Sequence, residues 1–116
     1  MTAFRLKRPE PTEAQVLAAV LRTLELHPRV ARVWRQNTGA GQLVRKGGMS
    51  QWIRFGFPGC PDIHGFLKDG RALYVEVKRP SGPVRPEQRA FIDAAAAVGC
   101  CAFIARRIED VERALA

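Results

Sequence analysis

Residues 61–78 read PDIHGFLKDGRALYVEVK. The spacing predicts two short strands, over 63–67 and 72–78, joined by the turn Lys68-Asp69-Gly70, with Asp62 carried on the first strand. Within 72–78, Leu73, Val75 and Val77 alternate with Tyr74, Glu76 and Lys78. A period of two puts the apolar residues on one face and Glu76 and Lys78 together on the other. Turn length decides whether Asp62 joins them. A two-residue loop at Asp69-Gly70 sets Asp62 opposite Val77, on the wrong face. A three-residue loop needs a left-handed residue at its third position, which Gly70 supplies cheaply. That register sets Asp62 opposite Glu76, with Cβ atoms about 5 Å apart. Two carboxylates so close repel unless a positive charge lies between them. A hard divalent cation answers that need, and Lys78 borders the same spot. A plainer reading stays open beside it: Pro-Asp often just starts a strand, and Glu-x-Lys often lies on a wet strand face.

A chain of 116 residues is expected to form a single domain, and a 47% hydrophobic content suffices for one core. Lys plus Arg number 19 against 11 acidic residues, a net +8. Such an excess favours a polyanionic partner, nucleic acid first, although solubility alone would also account for it. No apolar run approaches a membrane span and no secretory signal opens the chain, so the cytoplasm is the expected location and no membrane partner is expected. Cys60, Cys100 and Cys101 are odd in number and two are adjacent, which is no disulfide framework. With only His27 and His64 and no Cys-x-x-Cys pair, a zinc site is not expected either.

Residues 1–11, with Arg5, Lys7, Arg8, Pro9 and Pro11, read as a mobile basic arm. Thr12 and Gln15 fit a capping box, and a helix follows with Val16, Ala19, Val20, Thr23 and Leu24 at helical spacing until Pro28. Glu13 sits in its first turn, where a carboxylate complements the helix dipole. A strand over 30–35 puts Arg32 and Trp34 on the side opposite Val33. A hairpin follows over 43–45 and 51–54, with Gly47-Gly48 between. Its Arg45, Lys46 and Arg54, interleaved with Trp52 and Phe55, suit a groove for a nucleic-acid backbone, but an ordinary hairpin with core aromatics has the same composition. After the stiff break at 79–83, a helix starts near Pro86, with Ala90, Phe91, Ala94, Ala95 and Val98 as its buried stripe and Gly99 as its cap. A strand over 101–105 and a short helix over 108–115 complete an α/β fold: a mixed central sheet flanked by helices. The strand–helix–strand unit over 72–105 implies a parallel crossover.

Pro61-Asp62 followed by Glu76-Val77-Lys78 resembles the PD-(D/E)xK phosphodiesterase signature. Asn37-Thr38-Gly39, the run from Gly56 through Ile63, Glu76-Val77-Lys78-Arg79-Pro80, Gln88 and Gly99 narrow the resemblance to the virus-type replication-repair nuclease (VRR-NUC) family, over about residues 13–107. The resemblance implies a restriction-endonuclease-like fold and a Mg²⁺- or Mn²⁺-dependent endodeoxyribonuclease. Asp62 and Glu76 would hold the metal with the Val77 carbonyl as a third ligand, and Glu13 would complete the site. Lys78 would orient or help deprotonate the attacking water, and Gln88 would support the site. Arg35, Asn37, Arg45, Lys46, Arg54, Arg79 and Arg89 are the candidate DNA contacts. Stand-alone members resemble homodimers that cut branched DNA such as four-way (Holliday) junctions, which implies a bacterial or phage-infected host cell.

Oxygen ligands from one or two carboxylates, water and phosphate suit Mg²⁺. No serine, histidine or cysteine triad is assembled, so covalent hydrolysis is a poor rival. Two alternatives stand against the endonuclease: a non-catalytic nucleic-acid-binding module of the same fold, and a nuclease acting on RNA or single strands. Two carboxylates crowded near phosphate argue against a pure binder, which has no need of them.

Overall fold

The computed structural model describes residues 8–36, 40–44, 47–48, 50–54 and 56–116, with the backbone alone over 40–44 and 51–54. Helix α1 (Glu13–Leu26) starts as the sequence predicts: the Gln15 N–H donates to Thr12 Oγ1 at 3.2 Å, and the Thr12 N–H donates to Gln15 Oε1 at 2.9 Å. Val16, Val20 and Leu24, spaced by four, form its buried stripe. Strand β1 (Val30–Arg35) follows. Strands β2 (Ala40–Val44) and β3 (Ser50–Arg54) pair with each other as a separate antiparallel hairpin. Then come β4 (Ile63–Leu67), β5 (Ala72–Val77), α2 (Pro86–Ala97), β6 (Cys101–Ala105) and α3 (Ile108–Ala114).

The main sheet has the order β1-β4-β5-β6. β4 is antiparallel to both neighbours, and β5 runs parallel to β6, as a strand–helix–strand crossover requires. Leu73, Val75 and Val77 of β5 join Ile63 and Leu67 in a core closed by α1 and by Val111 and Leu115 at the α3 end. The opposite face is covered at β5 by α2, where Phe91 meets Tyr74 edge-on at 5.1 Å between ring centres. This mixed sheet flanked by helices is the expected α/β, restriction-endonuclease-like fold. No helix among the described residues is long and apolar enough to cross a membrane.

The β4–β5 turn fixes the register. The Gly70 N–H donates to the Leu67 carbonyl at 3.0 Å, and the Leu67 N–H donates to the Arg71 carbonyl at 2.9 Å, which closes the loop over Lys68, Asp69 and Gly70. Gly70 sits at φ +94°, where a side chain would be strained. Asp69 holds the turn from outside, accepting from the Arg71 N–H at 3.0 Å. Pairing then runs from Phe66 with Ala72 to Ile63 with Val75. One step further sets Asp62 across from Glu76, as the three-residue loop requires.

Two expectations are corrected. Asp62 stands just before β4 rather than on it, although its carbonyl still accepts from the Gln36 N–H at 2.7 Å and so ties it to the end of β1. The stripe of α2 is out of phase with the one predicted. Ile92 and Ala95 are buried and Phe91 half-buried, whereas Ala90 and Ala94 are exposed and Val98 is 81% exposed. The reason is Gln88, a polar residue turned inward. From it the inner face runs through 91, 92 and 95, a rotation that counting apolar residues misses.

Candidate active site

The loop preceding Asp62 is folded onto the start of α2. The Cys60 N–H donates to the Phe57 carbonyl at 2.9 Å, and Gly59 lies at φ +85°. A Cβ on Gly59 would collide with the Glu87 carbonyl, so only glycine permits this approach. The contact brings the first turn of α2 over the end of β5. There the Gln88 Oε1 accepts from the Arg85 N–H at 2.9 Å, which turns Nε2 toward Glu76 Oε1 at 3.0 Å. One side chain thus closes a helix end and fixes a buried carboxylate.

Glu76 is only 2% exposed, and its Oε2 has no hydrogen-bond partner among the described residues. Lys78 Nζ lies 3.8 Å from Glu76 Oε1 and 4.0 Å from Glu13 Oε1. Asp62 Oδ2 accepts from the Val77 N–H at 2.9 Å. The two acids therefore meet at the open end of β5, with Lys78 and the first turn of α1 closing the other side. Burial pushes the Glu76 carboxyl up to about 8; the neighbouring carboxylates of Asp62 and Glu13 add to this, and Lys78 opposes it. One ammonium at that distance does not offset burial together with two neighbouring carboxylates.

Beyond Lys78 the chain is held rigidly. The Lys78 N–H donates to the Ala105 carbonyl at 3.0 Å. Arg106 Nη1 reaches the carbonyls of Arg79, Pro80 and Gly82 at 2.9, 2.9 and 2.8 Å. Glu10 accepts from the Ser81 N–H at 2.7 Å and lies 3.5 Å from Arg79 Nη1. Neither Glu10 nor Arg106 stands out in the sequence. Arg106 carries a signal only once β5 and β6 are known to be parallel neighbours, and Glu10 lies within the segment read as an arm.

The other candidate residues divide by position. Arg35 is exposed and lines a groove of about 410 Å³ with Glu13, Asp62, Val77 and Leu17. Arg79 pairs with Glu10, and Arg89 pairs with Asp93 along α2. Asn37, Arg45, Lys46 and the side chain of Arg54 lie outside the described residues, as do Phe55 and the side chain of Trp52. A larger cleft of about 740 Å³, lined by Gln15, Ala19, Arg106 and Arg113 among others, includes neither acid. Cys60 Sγ sits 3.5 Å from His64 Nε2; burial raises the thiol and lowers the imidazole, so both are held neutral. Among the described residues no group of three or more His, Cys, Asp and Glu side chains is placed to hold a metal ion. A cation here would need two carboxylates and backbone oxygen.

A family model described as the VRR-NUC domain matches residues 11–107. No curated protein and no solved structure matches the chain significantly.

Proposed function

The chain belongs to the VRR-NUC family and is a nuclease domain, and from that premise we propose that it is an endonuclease that hydrolyses DNA phosphodiester bonds with Mg²⁺ or Mn²⁺. The observation that carries the metal reading is the orphaned Oε2 of buried Glu76 beside Asp62. A buried carboxylate oxygen without a partner is costly, and a hard divalent cation satisfies it. Asp62, Glu76 and the Val77 carbonyl would hold the ion, with Glu13 at the margin. When bound, such an ion lowers the pKa of a coordinated water and offsets charge developing on the phosphoryl oxygens.

The protein's own groups do the rest. Gln88 engages Glu76 Oε1 and leaves Oε2 for the site. The Val77 N–H fixes one oxygen of Asp62 and so orients the other. Lys78 Nζ, almost enclosed and flanked by two carboxylates, offers a compact positive charge for the scissile phosphate and N–H donors that orient the attacking water. The net charge of +8 draws a polyanion to the site. The resemblance supports a homodimer acting on branched DNA such as four-way junctions, because a two-fold pair of sites matches a two-fold symmetric junction.

The test is calorimetric titration of Mn²⁺ into the purified protein, alongside cleavage of labelled four-way junction, duplex, single strand and RNA. Saturable metal binding with preferential junction cleavage is expected. No metal binding, and DNA bound but never cut, would favour the binding module; preference for single strands or RNA would replace the branched-DNA assignment.

A further inference from the structure

The sheet face that carries Glu76 is ordered in rows. Past the Asp62 and Glu76 level, His64 pairs with Tyr74 and has Trp34 on its other side; then Phe66 pairs with Ala72 and has Arg32 on its other side. α2 packs on β5 and β6 and closes the Tyr74 end of these rows. Toward β1 the rings continue in contact: Tyr74 to His64 at 5.3 Å, His64 to Trp34 at 6.5 Å and Trp34 to Phe66 at 6.4 Å between centres. Trp34 remains 43% and Phe66 45% exposed. Arg32 is exposed beside them, and no carboxylate among the described residues pairs with it.

We propose that Trp34, His64 and Phe66, with Arg32, form a stacking platform for unpaired bases of a nucleic-acid strand that continues to Asp62 and Glu76. The inference rests on the nuclease reading for what lies at the end of the rows, and it adds a substrate class beside the four-way junction: branched nucleic acid with unpaired nucleotides next to the cut. Aromatic rings accept any base face, and an adjacent guanidinium adds phosphate attraction and cation–π contact. Successive rows are about 7 Å apart, a spacing that an extended, unstacked strand can follow. Charge complementarity favours this occupant, since a chain of net +8 attracts a polyanion and repels a second copy of itself. The exposed parts of the two large rings amount to roughly 200 Å². A stable protein partner needs about 800 Å² from each side.

The test is a fluorescence titration with oligothymidylate in EDTA, in a Trp52→Phe background so that Trp34 alone reports. Quenching of Trp34 is expected. Trp34→Ala and Phe66→Ala should each weaken single-strand binding by about tenfold or more, with duplex binding unchanged. Trp34→Phe keeps a ring and should retain most of the affinity, which separates loss of stacking from loss of fold; thermal melts of all variants accompany it. Unquenched emission, or full affinity in a folded Trp34→Ala/Phe66→Ala protein, would overturn the proposal. So would sedimentation showing that Trp34→Ala turns a dimer into a monomer, because a second copy would then be the occupant. The titration needs no cleavage, so failure of the wild type to cut DNA would sink the nuclease reading while leaving this result intact.

Discussion

Replacing Glu76 by glutamine should make the metal-free protein more stable in mild alkali. The wild-type carboxyl is nearly inaccessible and pushed from 4.5 up to about 8, by burial first and then by Asp62. A folded-state pKa above the unfolded value means that the native protein holds the proton more tightly. Stability from this group is therefore full below about pH 4.5, falls as pH rises toward 8, and is flat above. At about 1.4 kcal/mol for each pH unit crossed, the window sets an upper limit of about 5 kcal/mol. Relaxation around the site lowers this, and a gain of about 2–4 kcal/mol at pH 8.5 is expected for Glu76→Gln. His64, held neutral by burial, has the opposite slope below 6.5, so the difference between variant and wild type is the quantity to follow. The assay is urea denaturation in EDTA from pH 5 to 8.5, below the range where the raised thiols of Cys60 and Cys101 ionise. The two curves should nearly meet at pH 5 and diverge above it. A wild type no less stable than Glu76→Gln at pH 8.5 would show that the buried carboxyl carries no such penalty.

Other perturbations have distinct signatures. Gly59→Ala combines a left-handed backbone with a collision at the Glu87 carbonyl and should cost about 2–4 kcal/mol, read by denaturant midpoint. Gln88→Ala should lower cleavage about 10–100-fold with little change in DNA affinity, because the orientation of Glu76 is lost along with the bond that closes the start of α2. Arg106→Ala removes the donor to three carbonyls and should cost about 1–3 kcal/mol while loosening the segment after Lys78, read as faster amide exchange at residues 79–82.

The site is legible in the sequence where local chemistry dictates geometry. Thr12 and Gln15 announce the start of α1, and Gly70 announces the turn that sets Asp62 across from Glu76. Legibility ends where distant segments meet. Glu10 reaches Ser81 and Arg106 reaches Gly82 across separations that no local pattern encodes. The face of Tyr74 and Glu76 alternates as a half-wet strand would, yet α2 covers it. Gln88 explains both that cover and the misplaced helix phase: a glutamine counted as solvent-facing is turned inward to the carboxylate.

The proposed role of Asp62 and Glu76 is to share a divalent cation on which phosphodiester cleavage depends. Its most direct measurement is the cleavage rate of a labelled four-way junction by wild type and Asp62→Asn, each with Mn²⁺ and with EDTA. The wild type should cleave with Mn²⁺ and not with EDTA, while Asp62→Asn binds the junction and leaves it whole. Cleavage in EDTA, or an undiminished rate in folded Asp62→Asn, would contradict it.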